Sequence, residues 1–189
     1  SGAIRVDETD AVAERRHSAL ADLARLLAGP RLAAEVLEGR LFGLRHQLRG
    51  TGTSLDSELS RLLRGGDNAL RAGALAAVKA RGKRRFTSDL RTLLAREDLG
   101  ELDRMRVLET AAVIDGRAAA RLIRSESEKG NIGADVAVSL IVATERLDEL
   151  EPLLRSIEIK GPTELERFLK ALAPVADDER TTRFLLDLY

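Results

Sequence analysis

Apolar residues recur along this chain with the 3.6-residue period of amphipathic helices. Leu, Ala, Arg and Glu, which favour helices, are frequent, and the β-branched residues that favour strands are sparse. Glycine and proline interrupt the pattern at intervals: Gly29-Pro30, Gly50, Gly52, Gly65-Gly66, Gly82, Gly116, Gly130 and Gly161-Pro162. Because helices end at such breakers, the pattern predicts an all-α fold of roughly eleven helices, most of them about 10–18 residues long.

Pairs of adjacent apolar residues recur in two interleaved series. One series, with steps of 31, 29, 31 and 32 residues, is Leu62-Leu63, Leu93-Leu94, Leu122-Ile123, Leu153-Leu154 and Leu185-Leu186. The other, with steps of 33, 33, 33 and 28 residues, is Leu41-Phe42, Ala74-Leu75, Val107-Leu108, Leu140-Ile141 and Phe168-Leu169. Two regular series favour an α-solenoid of about five antiparallel helical hairpins over a globular bundle, which stays the alternative.

The repeat period divides the chain into three parts. Residues 31–189 follow the period and are expected to form the array. Residues 9–28 do not follow it and are expected to form a helix that caps the open end of the stack. Residues 1–8 are interpreted as an expression scar with a disordered start. Phe184, Leu185 and Leu188 are expected to be partly exposed, which suggests a domain excised from a larger protein or self-association through the last repeat.

Residues 69–98, "ALRAGALAAVKARGKRRFTSDLRTLLARED", resemble a HEAT-type repeat. They contain a hydrophobe with Arg, an Ala-Leu pair, a glycine turn and a second helix ending in Leu-Leu before an acidic turn. Residues 103–128 are a looser copy. The resemblance implies an α-solenoid whose relatives mostly serve as scaffolds and adaptors for other proteins. A minority of such proteins bind nucleic acid, and a few are DNA-repair glycosylases.

Composition excludes several classes of protein. Apolar residues make up 44% and charged residues 33% of the chain, as in a folded globular protein. The absence of cysteine excludes disulfides and thiolate sites, and it is compatible with a reducing compartment, so we expect a cytoplasmic protein. The two histidines lie in separate predicted helices, so we expect no metal site and no cofactor.

The net charge is zero, but the charges are unevenly distributed. Residues 40–96 contain 13 basic and 4 acidic residues. Within them, residues 79–86, "KARGKRRF", place five cations in seven positions, among them Lys83, Arg84 and Arg85. We consider this segment a candidate anion site, with a solvated turn between two helices as the alternative. If the second helix begins only at Thr87 or Ser88, these cations avoid its unfavourable N-terminal dipole.

A second basic series follows the apolar pairs. Arg64, Arg124 and Arg155 occupy the same repeat position, and Arg91 and Arg121 lie nearby. They are expected to line the inner surface of the array and to bind an acidic partner. The alternative is that these arginines pair with acids of the neighbouring repeat, such as Asp89 or Glu149.

No catalytic motif is present, and we expect no enzymatic activity and no catalytic residues. Aromatic residues are only 3% of the chain, which disfavours stacking on nucleic-acid bases. The sequence therefore predicts a non-catalytic scaffold or adaptor that binds an acidic protein segment. Its partner-binding residues would be Arg64, Lys83, Arg84, Arg85, Arg91, Arg121, Arg124 and Arg155. Nonspecific binding to the phosphate backbone of nucleic acid is the alternative function.

Overall fold

The computed structural model describes residues 3–65, 67–144, 147–157, 159 and 161–187. These residues form eleven α-helices and three short 3-10 turns, and they contain no β-strand. The all-α prediction is therefore confirmed. The chain divides into two compact units, Ser1–Leu93 and Leu94–Tyr189.

The first unit contains four complete helices and most of a fifth. They are α1 (Ala3–Ala28), α2 (Ala34–Gln47), α3 (Leu55–Gly65), α4 (Asn68–Arg81) and α5 (Thr87–Leu94), with a 3-10 turn at Arg84–Phe86. Helix α1 packs against α2 and α4, which also contact each other, and α3 packs against α2 and α4.

The second unit contains the remaining six helices. They are α6 (Glu101–Ile114), α7 (Gly116–Glu128), α8 (Ala134–Ala143), α9 (Leu150–Ser156), α10 (Pro162–Leu172) and α11 (Glu179–Asp187), with 3-10 turns at Leu147–Glu149 and Ala173–Val175. Helix α8 contacts α6, α7, α9 and α10, while α6 packs on α7 and α9 on α11.

The helix ends follow the predicted breakers. Helix α1 ends directly before Gly29, and α4 ends at Arg81, where Gly82 has a left-handed φ of 59°. Two helix starts also have acidic caps, because Asp67 accepts a hydrogen bond from the N–H of Leu70 and Asp115 accepts one from the N–H of Ala118.

One boundary prediction differs from the structure, and one sequence signal for a helix cap is not used. Helix α1 begins at Ala3, whereas the sequence predicted a start near residue 9. Helix α10 begins at Pro162, with Gly161 as its N-cap and no side-chain cap. The spacing of Thr163 and Glu166 resembles a capping box, but Pro162 at the first helical position places Thr163 inside the helix.

The recurring apolar pairs supply much of each core. Both members are buried in Leu62-Leu63, Leu93-Leu94, Leu153-Leu154, Ala74-Leu75, Val107-Leu108 and Leu140-Ile141. In three other pairs the second member is exposed: Phe42, Leu169 and Leu186. Contacts between alternate helices (α2 with α4, α6 with α8, α8 with α10, α9 with α11) are those that stacked hairpins require. A solenoid built from them stays a prediction.

The C-terminal helix leaves apolar side chains in contact with water. Phe184 and Leu185 are half-buried, as the sequence predicted, and Leu188 lies outside the described residues. Leu186 is 71% exposed. Phe184 is held by Phe168, whose ring centroid lies 5.9 Å away in an edge-to-face arrangement. Self-association through this end stays a prediction.

In the first unit, helices α1 and α4 approach each other closely at Gly73. A methyl group built on Gly73 would overlap the backbone of Leu27, with the Leu27 Cα only 2.8 Å away. Both elements are backbone, so neither can move aside as a flexible side chain would. The close packing of these two helices therefore requires glycine at this position.

In the second unit, a buried arginine on α6 connects three segments. Arg104 donates hydrogen bonds to the carbonyl oxygens of Leu94 (2.8 Å), Arg96 (2.8 Å) and Leu99 (3.1 Å), which lie at the end of α5 and in the loop after it. It also pairs with Glu126 of α7 at 2.7 Å. The side chains of Arg104 and Glu126 are 10% and 3% exposed. Leu94, Leu99 and Glu126 are buried and Arg96 is half-buried, so Arg104 joins α6 to α7 and to residues 94–99.

We expect Gly73→Ala to destabilise the first unit by about 1–3 kcal/mol, because the added methyl group forces α1 and α4 apart. Gly39→Ala is the matched control. Gly39 is exposed on α2 with nothing within 4 Å of an added methyl group, so this change should stabilise by about 0.5–1 kcal/mol. Urea denaturation followed by circular dichroism measures both. Equal shifts in the same direction would contradict the close-approach argument.

We expect Arg104→Met to destabilise the second unit by about 2–4 kcal/mol, because three carbonyl oxygens lose a side-chain donor and the buried Glu126 keeps only Lys129 and Asn131 as partners. Adding Glu126→Leu to this variant should recover part of the loss, since the buried charge is then removed. A double-mutant cycle measured by urea denaturation tests the coupling. Additive losses from the two changes would show that the pair does not act as a unit.

Candidate anion-binding site

The basic segment 79–86 turns sharply at Gly82 and brings three cations onto one carboxylate. Asp56 lies in the first turn of α3, and its Oδ1 is 2.7 Å from Nη2 of Arg81. Its Oδ2 is 2.8 Å from Nζ of Lys83 and 3.3 Å from Nη1 of Arg85. Because Gly82 adopts a left-handed conformation, the cations on both sides of it reach the same acid.

The environment keeps Asp56 ionised. Burial raises the pKa of its carboxyl group, since the side chain is only 12% exposed. The hydrogen bond from Lys83 and the charges of Arg81, Lys83 and Arg85 together outweigh burial and hold the pKa below its usual value of 3.8. Asp56 therefore carries a full negative charge at neutral pH.

A pocket of about 690 Å³ opens beside this carboxylate. We call it the basic pocket. Its walls come from the end of α2, the loop after it, the start of α3 and residues 81–85. Its charged lining residues are Arg45, Arg49, Asp56, Arg81, Lys83 and Arg85. Five cations therefore surround one carboxylate, and the lining keeps a large positive excess.

Arg45 and Arg49 were missed by the sequence reasoning. They lie at the end of α2 and in the loop after it, and neither forms an ion pair with another described residue. His46 also lines the pocket, and its ring packs edge-on against Phe42 at 4.7 Å. The signal in the sequence was "RHQLRG", in which two arginines four residues apart precede a helix-ending glycine.

The structure places the eight predicted binding residues in different settings. Lys83 and Arg85 line the basic pocket. Arg84 and Arg91 are exposed and form no ion pair with another described residue. Arg64 lies 3.5 Å from Asp89, which also accepts a hydrogen bond from Ser60 at 2.7 Å. Of the predicted binding residues in the first unit, Lys83 and Arg85 therefore line the basic pocket and the others do not.

The other three predicted residues belong to the second unit. Arg121 is exposed without an ion pair to another described residue. Arg124 lies 3.8 Å from Glu128 and 4.0 Å from Glu149, and Arg155 pairs with Glu151 at 2.6 Å. The contacts of Arg64 and Arg124 with Asp89 and Glu149 match the alternative interpretation, in which these arginines pair with acids further along the array.

The 3-10 turn at Arg84–Phe86 separates the basic side chains from the start of α5. Arg84 and Arg85 lie in this turn, and α5 begins only at Thr87, as the alternative start predicted. Thr87 has helical backbone angles (φ −56°, ψ −37°), so it is the first residue of α5 and not its N-cap; its hydroxyl donates to the carbonyl oxygen of Arg84 at 2.7 Å. The positive side chains thus stay outside the first turn of α5.

Within the described residues, no group of three or more histidine and acidic side chains could hold a metal ion. None of the described helices is both long enough and apolar enough to cross a lipid bilayer.

The comparisons with known proteins found no match: no family model, no curated protein and no solved structure corresponds to this chain.

We expect Asp56→Asn to lower the stability of the first unit by about 1–3 kcal/mol at neutral pH. The pKa of Asp56 is depressed in the folded state, so its contribution is complete above the unfolded-state pKa of about 3.9 and disappears as the pH falls through the folded value. The stability difference between the wild type and the variant should therefore shrink below about pH 4. Urea denaturation across this range measures it, and a constant difference would contradict the ion-pair interpretation.

Proposed function

We propose that this chain is a HEAT-like helical-repeat domain that binds an acidic segment of a protein partner in the basic pocket. One observation carries the proposal: among the described residues, five cations and a single carboxylate line this pocket. Protein surfaces normally intersperse both signs of charge. A concave site with so large an excess of one sign attracts ligands of the opposite sign.

The ion pairs support this proposal because they leave positive charge available to a ligand. Arg81, Lys83 and Arg85 share a single carboxylate, so most of their charge stays uncompensated. Arg45 and Arg49 have no acidic partner among the described residues. The side chains of Lys83 and Arg85 are 41% and 52% exposed, so an incoming acid reaches them without displacing other groups. Guanidinium groups bind carboxylates through paired hydrogen bonds.

A protein segment fits this site better than nucleic acid does. Base stacking requires aromatic side chains inside the site, but Phe86 is fully buried and the exposed Phe42 is not among the residues that line the pocket. The basic residues also converge on one pocket, whereas nonspecific binding of a nucleic-acid backbone uses cations spread along a track. Acidic peptide recognition by clustered arginines needs neither aromatic platforms nor an extended track.

The proposed function is binding without a chemical step. The proposed binding surface is smaller than the one predicted from the sequence. Arg64, Arg124 and Arg155 already have acidic neighbours, so they contribute less to an intermolecular contact. The pocket residues Arg45 and Arg49 take their place in the proposal. Exposed Arg84 adds positive charge to the same turn.

The test uses a fluorescein-labelled oligoglutamate peptide and fluorescence anisotropy at low and high salt. We expect the wild type to bind at low salt and Arg45→Gln/Arg49→Gln to bind at least about tenfold more weakly, a loss of about 1.4 kcal/mol. The matched control is Arg15→Gln/Arg16→Gln, which removes two exposed arginines of α1 outside the pocket. It should bind like the wild type.

Two results would contradict the proposal. One is equal binding of oligoglutamate by the wild type and the pocket variant. The other is stronger binding of a duplex DNA fragment than of the peptide under the same salt conditions, which would favour the nucleic-acid alternative.

A further inference from the structure

The basic pocket favours a particular kind of anion. We infer that it binds the phosphate group of a phosphorylated serine or threonine side chain in the partner's acidic segment. This inference rests on the proposed function, because it names the group within that segment that the pocket recognises.

Charge favours a dianion over a carboxylate. Any anion that enters the pocket is repelled by Asp56 and attracted by the five surrounding cations. A carboxylate brings one negative charge, whereas a phosphomonoester brings about 1.5–2 at neutral pH. Since the lining has more than one uncompensated cation, the second charge of the phosphate is also attracted. A phosphate therefore gains more from the same site than a glutamate side chain does.

The donors of the pocket come from separate parts of the chain. Arg45 and Arg49 belong to the end of α2 and the loop after it, and Lys83 and Arg85 belong to the segment after α4. A carboxylate has two oxygen atoms in one plane, whereas a phosphate has three oxygen atoms arranged as a tetrahedron. Donors that arrive from different elements suit the tetrahedral group, and arginine side chains bind phosphate through two parallel hydrogen bonds.

The start of α3 adds favourable donors to the same pocket. Ser54, Leu55 and Asp56 line it at the beginning of an eleven-residue helix. The Ser54 hydroxyl oxygen accepts the N–H of Ser57 at 3.1 Å, which satisfies one of the first-turn donors. The remaining first-turn N–H groups have no acceptor within the helix and can donate to a phosphate oxygen, although Asp56 and Glu58 already place two carboxylates in this turn.

Arg81 supplies a buried positive charge close to these donors. Its side chain is 8% exposed, and its only ion pair among the described residues is with Asp56. Its Nε has no hydrogen-bond acceptor among the described residues. Buried guanidinium groups are normally saturated with acceptors, so this one leaves part of its charge to act on the pocket.

The pocket lacks the features that nucleotide binding requires. Among the described residues that line it, His46 alone carries a ring, and that ring is packed edge-on against the exposed Phe42, which lies outside the lining. A nucleobase would therefore have no aromatic face to stack on. The same phosphate chemistry is presented by free inorganic phosphate, which the experiment separates from a phosphorylated segment.

The experiment compares three fluorescein-labelled acidic peptides that differ only at their centre. The first has a central phosphoserine, the second has two glutamates there with a similar charge, and the third has serine. Anisotropy titrations of the wild type should show binding of the phosphoserine peptide about tenfold tighter than that of the Glu-Glu peptide, with the serine peptide weakest. The Arg45→Gln/Arg49→Gln variant should lose this preference. The control Arg15→Gln/Arg16→Gln should keep it. Inorganic phosphate should compete only at far higher concentration than the unlabelled phosphopeptide.

The outcomes separate this inference from the proposed function. Equal binding of the phosphoserine and Glu-Glu peptides, lost in the pocket variant, would overturn the phosphate inference and leave the acidic-segment proposal in place. Absence of binding by every peptide would overturn both. A preference that survives in the pocket variant would show that the phosphate binds elsewhere. Competition by inorganic phosphate at the same concentration as the peptide would show a site for the free ion.

A second variant, Asp56→Asn, should lower the stability of the fold and at the same time strengthen phosphopeptide binding. Asp56→Asn removes the internal carboxylate that repels an incoming anion, so the phosphopeptide should bind about threefold to tenfold more tightly even though the fold is weakened. Unchanged or weaker binding by a folded Asp56→Asn protein would overturn the inference. If this variant does not fold, the titrations with Arg45→Gln/Arg49→Gln decide the question, because those two exposed side chains form no ion pair with other described residues.

Discussion

A carboxylate that leaves water must be accompanied by a positive charge, and in each unit of this protein such a pair joins two helices. In the first unit Asp56 of α3 meets Arg81 of α4, and in the second unit Glu126 of α7 meets Arg104 of α6. Burial raises the pKa of Glu126, but hydrogen bonds from Asn131 and Lys129 and the charges of Lys129 and Arg104 hold it below its usual value of 4.5. Both pairs join helices that are consecutive in the sequence, so each pair helps to determine how its two helices pack against each other.

The two pairs differ in how completely the charges are satisfied, and this difference separates a structural contact from a candidate binding site. Arg104 directs its donors at three carbonyl oxygens and at Glu126, so its guanidinium is surrounded by acceptors of its own chain. Around Asp56 the ratio is reversed, since one carboxylate serves three cations beside an open pocket. A cation whose donors are taken up by acceptors of its own chain has few donors left for a ligand. A carboxylate with more cations around it than it can neutralise leaves positive charge that attracts anions.

The helices could be predicted from the sequence because their ends are determined locally. Gly82 and Gly130 have positive φ angles directly after helices, as their positions in the apolar pattern indicated. Residues 79–86 were also recognised as a candidate anion site. The pocket itself could not be predicted, because Asp56 is separated from Lys83 by 27 residues and Arg45 belongs to a third segment. A count of 13 cations against 4 acids in residues 40–96 indicates an excess but not which cations meet which acid. That information comes only from the packing of α2, α3 and α4.

The packing of neighbours along the chain also bears on how the protein folds. Most of the helix pairs in contact within each unit are adjacent or alternate in the sequence, and the longest-range helix pair in the first unit is α1 with α4. Chains whose contacts are local close short loops and fold fast, in microseconds to milliseconds for small helical proteins. The α1–α4 contact at Gly73 closes the longest loop of its unit and must form against the largest loss of chain entropy. Docking of the N-terminal helix therefore closes a longer loop than the other well-populated helix contacts of this unit, at an entropic cost that grows by only about 0.6 kcal/mol for each doubling of loop length.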